Sequence, residues 1–236
     1  MNRTANGRTE IQSLTEKMKS IRLPYPIPYC AQVASPELAY AIFEEGLDPR
    51  RDPFWEQWGC ASAAEFAYWV DRACGIACVK MVVEGLGGPQ RPMMEWIQDA
   101  LGRKGYLVSA DADGNPVEHG WVHRVLAELI SASGFQATAR PASMEEIAGF
   151  LDSGQIVIAS VSYELGREGT ITHQGGHLVV VTGADVTDEG GVDCFYINNP
   201  SGRLAKYQVN ARIDAGRFAQ AYSERVILAG IPNGSC

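Results

Sequence analysis

Apolar positions recur at helical spacing through the first half of the chain and change to strand-like runs near residue 135. Ile76, Val79, Val82 and Val83 fall on one face and predict a buried helix from Cys74 to the glycines at 85–88, with Asp71 as a candidate N-cap. Ser35-Pro36-Glu37 opens another helix through Glu45, stopped at Gly46. Ser62 to Val70 presents Phe66, Trp69 and Val70 on one side. Helices are also predicted over Pro92–Leu101 and Trp121–Ser133, the second closed by Gly134. Ile11, Leu14 and Met18 predict a short helix within Thr9–Ile21. Pro24, Pro26 and Pro28 then force an extended arm, which either straps two lobes together or helps to bind substrate.

From Phe135 the period shortens. Phe135–Ala139, Gln155–Tyr163, Leu178–Thr182, Val192–Asn198, Leu204–Val209 and Val226–Ala229 read as strands. Ser143-Met144-Glu145-Glu146 is a capping box that opens a helix ending at Gly154, and Phe218 lies in another short helix. Glu164 to Gly176 is a long loop that delivers His177. The predicted class is therefore α+β: an N-terminal helical lobe packed on a C-terminal, mostly antiparallel sheet, with a cleft between them. The whole chain, 1–236, is read as one domain: an arm over 1–21, a helical lobe over about 22–134 and a β lobe over about 135–236.

Composition narrows the class. Of the residues, 46% are hydrophobic and 20% charged, as in soluble globular proteins. The net charge of −8, without a Lys/Arg cluster, argues against nucleic-acid partners. No apolar run reaches the ~20 residues of a membrane span, and the N-terminus lacks the apolar core of a signal peptide. The cysteines do not form a disulfide framework, so a reducing, cytoplasmic location is expected.

Cys74 is placed where a helix begins. There, unpaired N–H groups and the helix dipole favour a thiolate, which is the nucleophilic form of the side chain. Gly75 beside it is read as room for a substrate carbonyl. Gln174-Gly175-Gly176-His177 puts a histidine at the mouth of an apolar strand. Cys194 to Gly202 is a second strand ending in an Asn-Asn-Pro turn. If these strands pair, His177 and Asn199 lie side by side. Cys, His and Asn in that order supply nucleophile, base and orienter, the logic of papain-like sites.

Cys-Gly-x-Ala-Cys on a helix, Gly-His before a Val-rich strand and the Asn-Pro turn resemble the bacteriocin-leader (double-glycine) peptidases and their stand-alone papain-like relatives. The resemblance spans roughly Ile27 to Ile231. It implies Cys74 as nucleophile, His177 as base and Asn199 as orienter, a peptide substrate cut after a small residue such as glycine, and no metal or organic cofactor. It also implies a glutamine in the oxyanion hole, usually a short way before the cysteine. No Gln lies between Trp58 and Ala73. Gln32, within Pro28-Tyr29-Cys30-Ala31-Gln32, matches the segment that opens stand-alone relatives and is preferred to Gln57; residues 33–73 are then an insertion. Tyr68 is a third candidate donor.

Other chemistries compete with this one. His119/His123 and His173/His177 are spaced as zinc ligands can be. The second pair crosses two glycines, however, and neither has the metalloprotease Glu. The first pair is read as surface residues and Cys78 as a core residue. Asp185, Asp193 or Asn198 could replace Asn199 as orienter, but adjacent strand residues face opposite ways, so only one of Asn198 and Asn199 can serve. The aromatic stretch Phe54–Trp58 either lines a pocket or packs the helical lobe. The expected function is cleavage of a peptide or amide bond through a thioester on Cys74. The alternatives are acyl transfer or cyclisation at the same site, and an inactive peptide-binding module.

Overall fold

The computed structural model describes residues 18–232. Its spine is an antiparallel sheet built around the long strand β6 (His177–Thr187). One side of β6 pairs with β7 (Val192–Asn198), which pairs with β8 (Ala211–Asp214). On the other side, β5 (Ile156–Val161) covers residues 177–181 of β6, and β1 (Met18–Arg22) continues along residues 183–187. Beyond β5 lie β9 (Tyr222–Gly230) and then β4 (Gln136–Pro141).

The sheet is covered on both faces, which explains why β5 is apolar on both sides, Ser160 excepted, with every residue buried. Ile227, Ile158 and Val180 stand in register on one face. They pack under α3 (Cys74–Gly85), α4 (Met93–Gly102) and α5 (His123–Ala132). Leu228, Val157 and Val181 stand on the other. They pack under α6 (Met144–Asp152) and α7 (Ala215–Ala221). Ser143 forms the expected capping box on α6. Two shorter helices, α1 (Ala39–Phe43) and α2 (Ala63–Val70, capped by Ser62), complete the helical lobe. Among the described residues no helix is long and apolar enough to cross a membrane.

The arm after β1 alternates with period two: Leu23, Tyr25, Ile27 and Tyr29 face inward, and Pro24, Pro26 and Pro28 face out. It ties the lobes together. The Tyr25 hydroxyl donates to the Gly154 carbonyl at 2.6 Å, and the Tyr29 hydroxyl donates to the Asn199 carbonyl at 3.0 Å.

Four expectations need correction. Residues 18–21 form a strand rather than the end of a helix, because the period-two pattern begins at Ile21; the rest of the predicted Thr9–Ile21 helix lies outside the described residues. The N-cap of α3 is Ala73, without a side-chain cap, and not Asp71. Leu204–Val209 contains a short 3-10 turn (Ala205–Tyr207), and the strand follows it as β8, where Ala211 and Ile213 are buried. The helical lobe also carries an unanticipated hairpin, β2 (Tyr106–Ala110) and β3 (Pro116–Trp121), turning at Gly114 with φ 84°. Both faces of this hairpin are largely exposed, so its sequence lacks the alternation that marks a half-buried strand.

Candidate active site

Helix α3 ends its buried run against the sheet and starts at the cleft. Ile76, Ala77, Cys78 and Val79 are fully buried, which fixes the helix and leaves Cys74, its first residue, at the wall of a cavity of about 770 Å³. His177, at the start of β6, lines the same cavity. The backbone N–H groups of Leu178, Gly75 and Cys74 itself lie near enough to the thiol to favour its anion, so the thiol sits beside the His177–Leu178 peptide. Gly75 does not make room for substrate. A Cβ there would lie 2.9 Å from both Leu126 Cδ1 and Trp121 Cδ1, so the glycine permits close packing of α3 on its neighbours.

His177 is 4% exposed, and its Nε2 lies 2.9 Å from Asn199 Oδ1. An amide oxygen only accepts, so Nε2 carries the ring proton. Nδ1 is then the unprotonated nitrogen and the available base. Asn199 follows β7 directly and is fully buried. Its Oδ1 also accepts from the Ser201 N–H at 3.1 Å, and its own N–H donates to the Gln208 carbonyl at 2.8 Å. A Cβ on Gly166 would come within 2.8 Å of its Nδ2, so the carboxamide cannot turn freely. Asn198 faces the other way, with Oδ1 accepting from the Asn210 N–H and Nδ2 donating to the Ile27 carbonyl. Asp185 is engaged with Ser20, Arg22 and Tyr196, and Asp193 with Arg212.

Ser201 escaped the sequence reading. Its Oγ lies 3.0 Å from His177 Nε2 and the residue is 1% exposed. It offers a second partner for the proton that Asn199 holds. The Asn-Pro-Ser-Gly turn was visible in the sequence, but the side-chain contact depends on how the turn folds back onto β6.

Gln32 lies at the base of the turn into α3. Its Nε2 donates to the carbonyl of Val70, the last residue of α2, at 3.0 Å. Its N–H donates to the Pro200 carbonyl at 2.9 Å. It is buried, its Oε1 has no partner, and it does not line the cavity wall. Gln57 is exposed in a recess with Cys30 and Lys80, and the Tyr68 ring lies under the Arg72 guanidinium. Of the aromatic stretch, Trp58 packs inside the helical lobe, where it meets Phe66 edge-on at 4.8 Å, Trp55 is half-buried against it and Phe54 is exposed. The cavity's aromatic wall comes from the hairpin instead. Tyr106 and Trp121 line it, and Trp121 is stacked on Trp69 at 5.9 Å. His119 and His123 line the cavity too. His173 turns away to Ser162 and Glu164. Among the described residues no three His, Cys, Asp or Glu side chains group closely enough to hold a metal ion.

Burial decides the charge states. It pushes the Cys74 thiol up to about 11, against the pull of the three N–H groups. It pushes His177 down to about 4; the Asn199 contact opposes this and the Arg203 charge adds to it. The resting pair is therefore thiol and neutral imidazole, not the helix-stabilised thiolate expected from the sequence.

The depressed histidine has a consequence for stability. The unfolded chain binds this proton near pH 6.5 and the folded chain only near 4, so stability present above pH 6.5 is lost as the pH falls toward 4. The contribution is roughly 3 kcal/mol. Glu164 and Asp185, both held at about 2, add further losses at lower pH. Urea titrations between pH 7 and 4.5 are expected to show this decline, and His177→Gln is expected to flatten it. An unchanged slope in the variant would show that His177 is not buried in its neutral form.

The family model described as Peptidase_C39 like family matches residues 54–227. Among solved structures, the chain is similar to a double glycine motif protease from an AMS/PCAT transporter in complex with its leader peptide. The identity is 15% over 67% of this chain and 84% of that one, with a TM-score of 0.43. It is also similar to the peptidase domain of Streptococcus ComA, a bifunctional ABC transporter involved in quorum sensing. There the identity is 15% over 69% of this chain and 93% of that one, with a TM-score of 0.44. No functionally curated protein matches significantly. With the family match spanning well over half its length, the chain belongs to the Peptidase_C39 like family.

Proposed function

We propose that the protein hydrolyses a peptide or amide bond through a thioester on Cys74. The observation that carries this reading is the 2.9 Å contact between His177 Nε2 and Asn199 Oδ1, which leaves Nδ1 as a base in the cavity that Cys74 lines. His177 Nδ1 takes the thiol proton as sulfur attacks the carbonyl carbon. The resulting oxyanion takes a hydrogen bond from the Cys74 N–H, and the second donor is assigned to the remaining amide proton of Gln32, which lies behind the cavity wall at the foot of the turn to Cys74. As the C–N bond breaks, the imidazolium returns the proton to the departing amine. Water, deprotonated by the same nitrogen, then cleaves the thioester and frees the thiol. Asn199 and Ser201 position the imidazole and transfer no proton.

Neutral resting partners suit this sequence: the proton moves only when a carbonyl is in place to receive the sulfur. The test is intact-mass spectrometry with peptides carrying glycine on the acyl side of the scissile bond, with and without added amines. Expected are a transient acyl adduct on Cys74 and a free-acid product. A product that carries the added amine would reassign the protein to acyl transfer. Peptide binding without adduct or product would make it a binding module.

A further inference from the structure

The cleft is charged asymmetrically, with Arg72, Arg124 and Arg225 against Asp71 in its lining. Where β9 passes the cavity, its register against β5 shifts between Ala159 and Val161, and Glu224 adopts φ 57°. Such a bulge redirects side chains at a strand end. Glu224 lies in a separate recess with Arg140 and Ser143, while Ser223 and Arg225, two residues apart on the strand, face the cavity with Cys74 and His177.

The other cavity arginines are neutralised. Arg72 makes a bidentate pair with Glu118 at 2.8 and 2.9 Å, and Arg124 pairs with Glu128. Arg225 is exposed and has neither ion pair nor hydrogen bond among the described residues. His123 stands beside it. Burial, with the added effect of the Arg225 charge, holds this imidazole below its ordinary range. Helix α5 begins at the same wall: Val122, His123 and Arg124 line it, and Val122 provides no side-chain cap for the first N–H groups. Asp71, in the α2–α3 turn, is the one acidic residue of the lining. A free guanidinium inside the cleft of a chain with net charge −8 marks a place where a negative group is attracted despite overall repulsion.

We propose that Arg225, with His123 and the start of α5, forms a carboxylate subsite, and that the substrate presents an acidic side chain or a free terminal carboxylate next to the bond that Cys74 attacks. The subsite rests on the reading of Cys74 and His177 as the reacting pair. Guanidinium is suited to the task because its planar fork can hold both carboxylate oxygens.

The test uses two alkylating probes of similar size, one anionic and one neutral. Rates of Cys74 modification by iodoacetate and iodoacetamide are measured at low salt by peptide mass spectrometry. Arg225→Gln is expected to lower the iodoacetate-to-iodoacetamide ratio about three- to tenfold, the size of a single charge effect across a partly screened cavity. The iodoacetamide rate should hold within twofold, and Arg225→Lys should keep most of the ratio. Arg124→Gln serves as a control from the same wall. An unchanged ratio with a reactive Cys74 overturns the subsite alone. A Cys74 inert to both reagents overturns the reacting pair and the subsite with it. Protection of Cys74 from iodoacetamide then assigns the source of the carboxylate. Acetyl-Gly-Glu-amide protecting better than acetyl-Gly-Gln-amide assigns a side chain. Acetyl-Gly-Gly protecting better than its amide assigns a chain end. Protection by neither carboxylate overturns the proposal.

Discussion

Replacing His177 by alanine is expected to lower turnover by about 10²–10⁴-fold, the range for losing a positioned general base. The loss should be larger than for any positioning residue, because Nδ1 is the atom that accepts the thiol proton. Asn199→Ala is expected to cost less. It frees the ring to turn, and Ser201 Oγ at 3.0 Å remains as an alternative partner for Nε2. Asn199→Asp separates orientation from charge. A carboxylate at this position would favour imidazolium, so the acid limb of the kcat/KM profile should rise from near 4 toward the ordinary histidine range while turnover persists. Asn198→Ala should leave turnover unchanged, since that side chain is committed to Asn210 and Ile27. Steady-state kinetics on folded variants, verified by circular dichroism, decide the matter. A damaging Asn198→Ala with a neutral Asn199→Ala would reverse the assignment of strand faces.

The parts of this site that could be read from the sequence are those written in local patterns. A helix start at Cys74, a glycine turn into a strand at His177 and an Asn-Pro strand end each depend on a few consecutive residues. Pairing β6 with β7 brings the last two together, with Val180 opposite Asn198. The charge state of Cys74 was not legible, because two opposing effects differ in size. A helix start favours an anion by about 0.3–1 kcal/mol, whereas loss of hydration at the cavity wall pushes the Cys74 thiol from 9.0 up to about 11. Burial is a property of the folded cavity, and no window of sequence around Cys74 contains it. The same holds for the hairpin over Tyr106–Trp121. Its strands stand out from the core, so neither period marks them, yet Tyr106, Leu107 and His119 form one wall of the cleft. Arg225 was hidden for a third reason. Alternation along β9 puts Glu224 and Arg225 on opposite faces, but which face meets the cleft depends on how β9 pairs with β5 and β4.

Gln32→Ala is expected to lower the acylation rate by about 10²–10³-fold, as loss of one oxyanion donor does. The argument starts from the amide's protons. A carboxamide nitrogen has two, and the Val70 carbonyl takes one at 3.0 Å. That bond fixes the plane of the group at the foot of the turn leading to Cys74. The Gln32 N–H, bonded to the Pro200 carbonyl, anchors the backbone next to Asn199. Gln32 thus joins the segment that carries the nucleophile to the segment that orients the base. The proline-stiffened arm before it holds the residue in place. Its second amide proton and the Cys74 N–H would supply the two donors that a tetrahedral oxyanion requires. Because Gln32 is buried, truncation also removes a structural bond, and that cost must be kept apart from catalysis. Loss of a structural bond lowers the unfolding midpoint and leaves kcat of the folded fraction intact. Loss of an oxyanion donor lowers the single-turnover acylation rate at saturating peptide and leaves the dissociation constant nearly unchanged, because the interaction strengthens only as charge develops. Gln32→Glu sharpens the distinction, since a carboxylate placed there would repel the oxyanion as well as the Val70 carbonyl. Rapid-quench measurements that found acylation within threefold of wild type in Gln32→Ala would remove Gln32 from the oxyanion hole and leave it the role of tying Val70 to Pro200.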